Sequence, residues 1–350
     1  MGSTPIGISA SRGAAILGLS DYRTPVMAWL ELMESRTPGF CKAHGYVTPE
    51  RTDSAPFRWG TAFESAVIKQ ASRSYGTARA ARITDREGLY AVDFDGNAID
   101  PLAISDAGGI TCHIDGRYST KVLHEGKTTT DMAYRYKWGT PGTDRIPADY
   151  QVQVQHQMCA VRQAIECVVS VLVFPDTQDA FEAMGWRVVP LDTDTPDVPT
   201  RLLTPREKNM WTSVLADLGF FHQYPVPSRV DIQREMLDRY RGFWCDHVLA
   251  ETPPPVQGYG DILSLFPAPV GTLVAPPEIS DWVSEYRDIT KELGSSGNMG
   301  KRKDQLKTLV LDWARKQEGF AIDDESQEKV MILDATGKRL ATYNGKMFRA

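Results

Sequence analysis

The sequence predicts an α/β or α+β fold in which a central mixed sheet is flanked by helices and followed by a helical C-terminal appendage. Residues 168–174, VVSVLVF, form an uninterrupted apolar run, which is typical of a strand buried on both faces. Two β-like runs precede it, at 110–119 and 121–129, and helical periodicity surrounds all three runs. An order of helices, β-meander, helix and strand is typical of such a core.

The predicted helices have recognisable starts or apolar stripes. The first follows Ser9 or Ser11 as an N-cap and ends near Gly18, and the second has Pro25 in its first turn. Further helices are predicted over 58–72, after Pro147, over 204–247, over 279–293 and over 301–317.

The chain divides into three predicted parts. Residues 1–248 hold the core, and residues 249–278 are rich in Pro and Gly and are predicted to be a linker or loop. Residues 279–350 are predicted to form a helical hairpin around GSSGNMG and then a β-hairpin with its turn at 335–337.

Composition excludes several classes of protein. The 350 residues are 42% hydrophobic and 24% charged, which is ordinary for a soluble globular protein. No apolar run approaches the roughly 18 residues of a membrane span, and the start lacks a secretory signal, so we expect a cytoplasmic protein without membrane contact. The five cysteines include no Cys-x-x-Cys pair, which argues against a disulfide framework or a zinc ribbon. Because the formal net charge is −6, any nucleic-acid site has to be local.

Two acids and an amine are predicted to meet on the strands of CHIDGRYSTKVLHEGKTTT. If the runs pair antiparallel, Asp115 lies near Glu125 and Lys127, which share a strand face. Paired carboxylates repel each other unless a cation separates them, and Mg²⁺ favours such oxygen ligands. A surface hairpin with an ordinary salt-bridge cluster explains the spacing equally well. The GKT tripeptide is not a phosphate-binding loop, because that motif requires glycine where Lys121 stands.

Other polar residues have two interpretations each. Glu64 lies at the edge of an apolar helical stripe, where a metal would suit a half-buried carboxylate and solvent would suit an exposed one. In the helix after Pro147, Gln153 and Gln157 share a face and are able to bind DNA phosphate, a metal-bound water or simply solvent.

Five ordered segments resemble the YqaJ-like viral recombinase nucleases, relatives of phage lambda exonuclease in the PD-(D/E)XK superfamily. They are SASRGAAILGLSDYRTPVMAWLE, RWGTAFESAV, HIDGR, LHEGKTTT and IPADYQVQVQHQM, within about residues 7–174. The resemblance implies a restriction-endonuclease-like PD-(D/E)XK core in residues 1–248. Ile114 stands where the family usually has proline, and Gly126 where an apolar residue is usual.

The resemblance also implies site residues. Asp115 and Glu125 would be metal ligands and Lys127 the catalytic lysine. Glu64 would be an upstream catalytic carboxylate that completes the acidic metal site or holds a second metal through water. Gln153 and Gln155 fall on the family's glutamine motif and are expected to contact DNA. Ser11 and Arg12, at a helix start, are expected to bind the terminal 5′ phosphate. The cofactor would be Mg²⁺, with Mn²⁺ as an alternative, and no iron–sulfur cluster is expected because the cysteines are not grouped.

The expected activity is therefore a Mg²⁺-dependent deoxyribonuclease. It would degrade linear double-stranded DNA 5′→3′ from its ends and leave 3′ single strands for phage-type recombination with a single-strand annealing protein. The family's lambda-type members form trimers around DNA, so a homo-oligomer is expected, in the bacterial host cytoplasm if phage-encoded. The alternatives are a structure-specific or defence-related endonuclease on the same core and a catalytically silent DNA-binding scaffold.

Overall fold

The structure is a computed structural model that describes residues 7–47, 55–75, 89–101, 104, 107–175, 204–266, 271–292, 298–317, 330–344 and 347–350. Contacts divide the chain into two units, which are described separately. The first comprises residues 1–21 and 51–244, and the second comprises residues 22–50 and 245–350.

The regular elements of the described residues are labelled in chain order. The strands are β1 (Ile8–Ser9), β2 (Leu89–Val92), β3 (Ile110–His113), β4 (Gly116–Arg117), β5 (Val122–Thr130), β6 (Glu166–Phe174), β7 (Phe221–Pro227), β8 (Gly271–Val274), β9 (Val330–Leu333), β10 (Arg339–Tyr343) and β11 (Phe348–Arg349). The helices are α1 (Ala10–Ile16), α2 (Pro25–Arg36), α3 (Phe40–Ala43), α4 (Ala55–Tyr75), α5 (Asp131–Lys137), α6 (Ala148–Ala160), α7 (Pro205–Asp217), α8 (Val230–Phe243), α9 (Tyr259–Leu265), α10 (Pro277–Glu292) and α11 (Asn298–Arg315), and a π-helical segment spans Trp244–Leu249.

The first unit is built on a mixed sheet of order β4-β5-β6-β7. Strand β5 pairs antiparallel with β4 and parallel with β6, and β6 pairs antiparallel with β7. A smaller sheet has the order β1-β3-β2. Helices α4 and α7 pack on the central sheet, as does α6. The predicted fold class, a central mixed sheet flanked by helices, is confirmed.

The run 110–119, predicted as one strand, is two strands in two different sheets. Strand β3 pairs with β1 and β2, whereas β4 pairs with β5, and the break falls at Ile114 and Asp115. At this break, Asp115 Oδ2 accepts the Gly126 N–H at 2.8 Å. A continuous antiparallel ladder would give that N–H to a backbone carbonyl.

The predicted helix over 204–247 is also wrong in its middle part. It is interrupted by β7, which lies at the edge of the central sheet. Pro225 and Pro227 explain the interruption, because proline removes a hydrogen bond from a helix interior but is tolerated on an edge strand.

Gly126 lets helix α4 lie close against strand β5. A Cβ at this position would stand 3.2 Å from Val67 Cγ1, tighter than ordinary van der Waals contact. Beside this contact, the face of α4 that carries Phe63 and Val67 packs with Leu172, Trp211 and Leu215 in one buried cluster. A side chain in place of this glycine, which departs from the usual family pattern, would therefore require Val67 to shift by a few tenths of an ångström.

Gly13 has the same role where α1 packs against α8. A Cβ on Gly13 would lie 2.0 Å from the hydroxyl oxygen of Tyr240, which is completely buried. His156 stands between this tyrosine and β3, with Nδ1 3.5 Å from the Tyr240 hydroxyl and Nε2 3.0 Å from the Thr111 carbonyl. These contacts fix α1 against α6 and β3.

The second unit has its own sheet, of order β11-β10-β9-β8. The predicted β-hairpin is present as β9 and β10, and the two predicted helices are α10 and α11. The appendage is therefore not purely helical, since β8 adds parallel to β9. Residues 293–297, which include most of the GSSGNMG turn, are outside the described residues.

The division of the chain differs from the expected one in two respects. Residues 249–278, expected to be a linker, include α9 and β8. Helix α2 belongs to the second unit, because Trp29 Nε1 donates to the His247 carbonyl at 2.8 Å and Thr24 donates to the Asp261 carboxylate. These links join residues more than 200 positions apart in sequence, which no local pattern indicates.

Among the described helices, none has the length and apolar character that crossing a bilayer requires.

The Gly13→Ala variant should unfold more easily than the wild type. The added methyl group overlaps the buried Tyr240 hydroxyl, and such overpacking typically costs about 1–3 kcal/mol of unfolding free energy. Urea denaturation measures the change.

Gly242→Ala is the matched control. It is the penultimate residue of α8, directly before the π-helical segment, with nothing within 4 Å of its added Cβ, so alanine should be neutral or stabilising by up to roughly 1 kcal/mol. Equal stability of Gly13→Ala and the wild type would show that the α1–α8 contact is looser than described.

Candidate active site

The centre of the candidate site is the face of β5 that carries Glu125 and Lys127. Strand periodicity places both side chains on one face, and pairing with β6 continues through both positions. Glu125 is only 2% exposed, and Lys127 Nζ lies 2.5 Å from its Oε1. The Lys127 side chain is 15% exposed, so the two predicted partners form a largely buried ion pair and not a solvated surface contact.

Helix α6 covers this face with two glutamines one turn apart. Gln153 Nε2 donates to Glu125 Oε1 at 2.5 Å, and Gln153 Oε1 accepts from Lys127 Nζ at 2.9 Å. Gln157 Nε2 donates to Glu125 Oε2 at 2.7 Å and to the His113 carbonyl at 3.2 Å. Both oxygens of Glu125 are thus held by donors, which fixes the orientation of the carboxylate.

Asp115 joins the site from the break between β3 and β4. The antiparallel pairing of β4 with β5, which the sequence predicted, brings Asp115 beside Gly126, between Glu125 and Lys127 in the sequence. Burial, and then the negative charge of Glu125, raise the pKa of Asp115 to about 7. Glu64 also raises this pKa, although its own side chain is exposed on α4.

Lys127 is held in its charged form. Burial on its own would lower its pKa, but the charges of Glu125 and Asp115 outweigh burial and raise the pKa above its usual value. The ammonium group also lies 4.7 Å from the centroid of the Tyr150 ring, a distance suited to a cation–π contact.

The donor set fits a hard divalent cation in part. Asp115 and Glu125 supply carboxylate oxygens, and the raised pKa of Asp115 reflects burial first and then repulsion by Glu125, which a cation would relieve. Glu64, the predicted third ligand, does not lie close to Asp115 and Glu125 in a common group. Within the described ranges, no group of three or more Asp, Glu, His or Cys side chains stands close enough to hold a metal ion, so Glu64 influences Asp115 only through its charge.

The residues predicted to contact DNA lie on two different helices, and not all of them belong to the site. Gln153 lies in the site, and Ser11 and Arg12 lie on α1, which packs against α6. Ser11 is exposed and Arg12 is half-buried.

The prediction that Gln155 contacts DNA is wrong, because its side chain faces away from the site. Its amide is 1% exposed, donates to the Pro227 carbonyl at 2.8 Å and accepts from Arg229 N–H and Gln233. These bonds tie α6 to the start of α8. Residues two apart on a helix point about 200° apart, so Gln153 and Gln155 cannot share a role.

Two contributions to the site were not recognised from the sequence. The first is Tyr150, whose ring faces Lys127 one turn before Gln153 on α6. The second is the Gly126 N–H that binds Asp115. The Gln153–Gln157 spacing indicated a shared face, but nothing in the spacing showed that this face meets Glu125.

Asp115 should make the metal-free protein less stable as the pH rises. Its folded-state pKa of about 7 lies above the ordinary value of 3.8, so its stabilising contribution is complete below about pH 4 and is lost towards pH 7. Asp115→Asn keeps an acceptor for the Gly126 N–H and removes this loss. In EDTA, its melting temperature should exceed that of the wild type by more at pH 8 than at pH 5.

Asp238→Asn, which replaces an exposed carboxylate on α8, is the control and should show no such widening. A difference between Asp115→Asn and the wild type that stays constant from pH 5 to pH 8 would contradict the assignment.

A family model matches the part of the chain that holds these residues. Residues 5–162 match the model of the YqaJ-like viral recombinase domain. No curated protein matches the chain.

Solved structures with weaker likeness include an alkaline exonuclease, LHK-Exo, from Laribacter hongkongensis (16% identity, TM-score 0.41, 71% of this chain and 90% of that one). The same exonuclease in complex with dAMP gives 15% identity, a TM-score of 0.41 and the same coverage. A phage-related exonuclease from Haemophilus somnus 129PT gives 16% identity and a TM-score of 0.38, with 70% of this chain and 96% of that one covered. The resemblance found in the sequence is confirmed by the family match: residues 5–162 carry a YqaJ-like viral recombinase domain.

Proposed function

We propose that this protein is a divalent-metal-dependent DNA exonuclease that acts on the ends of linear double-stranded DNA. The observation that carries the proposal is the group of Asp115, Glu125, Lys127 and Gln153, in which an ammonium and an amide hold the buried Glu125 carboxylate beside a second, half-buried acid. The match to a viral recombinase domain over residues 5–162 supports DNA as the substrate.

Asp115 and Glu125 are the proposed metal ligands, with Mg²⁺ as the ion and Mn²⁺ as an alternative. When bound, the ion would polarise the scissile phosphate and lower the pKa of a bound water. Gln153 and Gln157 keep Glu125 oriented in the absence of the ion, so little rearrangement is needed when it binds. Glu64 is proposed to add negative charge near Asp115, as an upstream carboxylate that acts through the field of the site.

Lys127 is proposed to orient the attacking water and to neutralise charge on the phosphate. Its raised pKa argues against a role as the proton acceptor, because the ammonium form predominates near neutral pH. In the proposed reaction the water oxygen bonds to phosphorus, and the bond from phosphorus to the 3′ oxygen of the terminal nucleotide breaks with inversion. The departing 3′ oxygen takes up a proton, and a 5′ mononucleotide is released.

The polarity, partners and surroundings of the reaction are part of the proposal. Cleavage 5′→3′ would leave a 3′ single strand, the substrate of a single-strand annealing protein in phage-type recombination. Ser11 and Arg12 are proposed to bind the 5′ phosphate, supported by the packing of α1 on α6. We also propose a homo-oligomer, a trimer by resemblance, that works in the host cytoplasm without a membrane or an iron–sulfur cluster.

Lys127→Ala should abolish hydrolysis and leave DNA binding measurable, since it removes the charge next to Glu125 while other contacts with DNA remain. The measurement is digestion of end-labelled linear duplex and covalently closed circular duplex with Mg²⁺. Lys121→Ala is the matched control, because Lys121 is an exposed lysine directly before β5, the strand that carries Lys127. It should digest linear DNA at the wild-type rate.

Each outcome of this digestion assigns an activity. Loss of the linear substrate alone, with label released from the 5′ end, supports the proposed exonuclease and its polarity. Cutting of the circle indicates a structure-specific or defence-related endonuclease. Absence of cutting with DNA binding retained indicates a DNA-binding scaffold.

A further inference from the structure

Gln157 has a buried side-chain amide that contacts the candidate active site. The residue is 2% exposed and lies one helical turn beyond Gln153 on α6. Its Nε2 has two acceptors, Glu125 Oε2 at 2.7 Å and the His113 carbonyl at 3.2 Å. Its Oε1 is buried, and no donor in the described part of the chain reaches it.

The orientation of this amide is decided by its neighbours. Glu125 and the His113 carbonyl are both acceptors, so the amide nitrogen, which carries two N–H donors, has to face them. A flipped amide would place its oxygen against two other oxygens. Oε1 is therefore directed elsewhere by necessity, and a buried carbonyl oxygen of this kind is normally paired with a donor.

The position of Gln157 connects the two sides of the site. The His113 carbonyl lies at the end of β3, just before the interruption between β3 and β4 that contains Asp115. Glu125 is the carboxylate on β5, which pairs with β4. One amide thus bridges the strand that leads to the first proposed ligand and the side chain of the second. Gln153 holds the other oxygen of Glu125, together with Lys127.

We propose that Gln157 is a positioning residue for the divalent-ion site, with Nε2 fixing Glu125 and the His113 carbonyl and Oε1 accepting a hydrogen bond from a water of the ion's hydration shell. The proposal rests on the proposed function for the presence of the ion. Mg²⁺ usually keeps several waters when it binds to one or two carboxylates, and such waters are donors of the kind that Oε1 lacks. Outer partners of metal ligands commonly change affinity for the metal 10- to 100-fold.

The test measures metal affinity and hydrolysis separately. Mn²⁺ binding to the full-length protein is followed by electron paramagnetic resonance for the wild type and for Gln157→Met, which keeps the length of the side chain and removes the amide. Affinity for Mn²⁺ should fall about tenfold or more. Linear-duplex hydrolysis should recover most of its wild-type maximal rate at high Mg²⁺, because only binding of the ion is weakened.

Gln155→Met is the matched control. Gln155 lies on the same helix, is equally buried and loses its amide bonds in the same way, but these bonds lead to the β7–α8 connection. It should bind Mn²⁺ within about twofold of the wild type whatever its effect on the melting temperature. If Gln157→Met does not fold, Gln157→Asn replaces it, since its shorter amide cannot span both acceptors and should also bind Mn²⁺ more weakly.

The outcomes separate this inference from the proposed function. Wild-type binding of Mn²⁺ with unchanged affinity in the Gln157 variant overturns the positioning role alone, and so does equal weakening in Gln155→Met. A wild-type protein that neither binds Mn²⁺ nor digests linear DNA overturns the proposed function and this inference with it. Selective weakening at Gln157 with recovery at high Mg²⁺ supports the inference.

Discussion

The buried charge of Glu125 is the constraint on which the rest of the first unit depends. Placing an isolated carboxylate inside a protein costs several kcal/mol, so such a group requires donors close by. Here the donors are Lys127 on the same strand and Gln153 and Gln157 on α6. The position of α6 over β5 is therefore set by electrostatics as well as by apolar packing.

The two faces of β5 have different roles: one packs against a helix and the other presents the charged residues of the site. Gly126 turns its missing side chain towards Val67 of α4, so the helix packs closely on that face while Glu125 and Lys127 occupy the other. The N–H of the same glycine holds Asp115. One residue without a side chain thus serves both the core and the site, and an apolar residue here would crowd the Val67 side chain of α4.

The break between β3 and β4 also has a consequence for the site. It lets the chain pass from the small sheet to the central one, and Asp115 lies at this passage, where its carboxylate replaces a backbone acceptor. Such a position is half enclosed, which is why burial and Glu125 raise the pKa of Asp115 to about 7. An acid of this kind responds to pH and to cations near neutrality, unlike a solvated aspartate.

The sequence by itself determined the elements and the charged residues of the site. Alternation along β5 put Glu125 and Lys127 on one face, the i, i+4 spacing put Gln153 and Gln157 together, and ordered motifs showed the resemblance that the domain match over residues 5–162 confirmed. Tertiary structure decided the rest. It divided the run 110–119 between two sheets, placed β7 within a stretch that was predicted to be helical, turned Gln155 towards α8 and left Glu64 outside the carboxylate group. The physical reason is that periodicity reports which residues share a face, whereas the partner of that face is set by contacts between residues far apart in the chain.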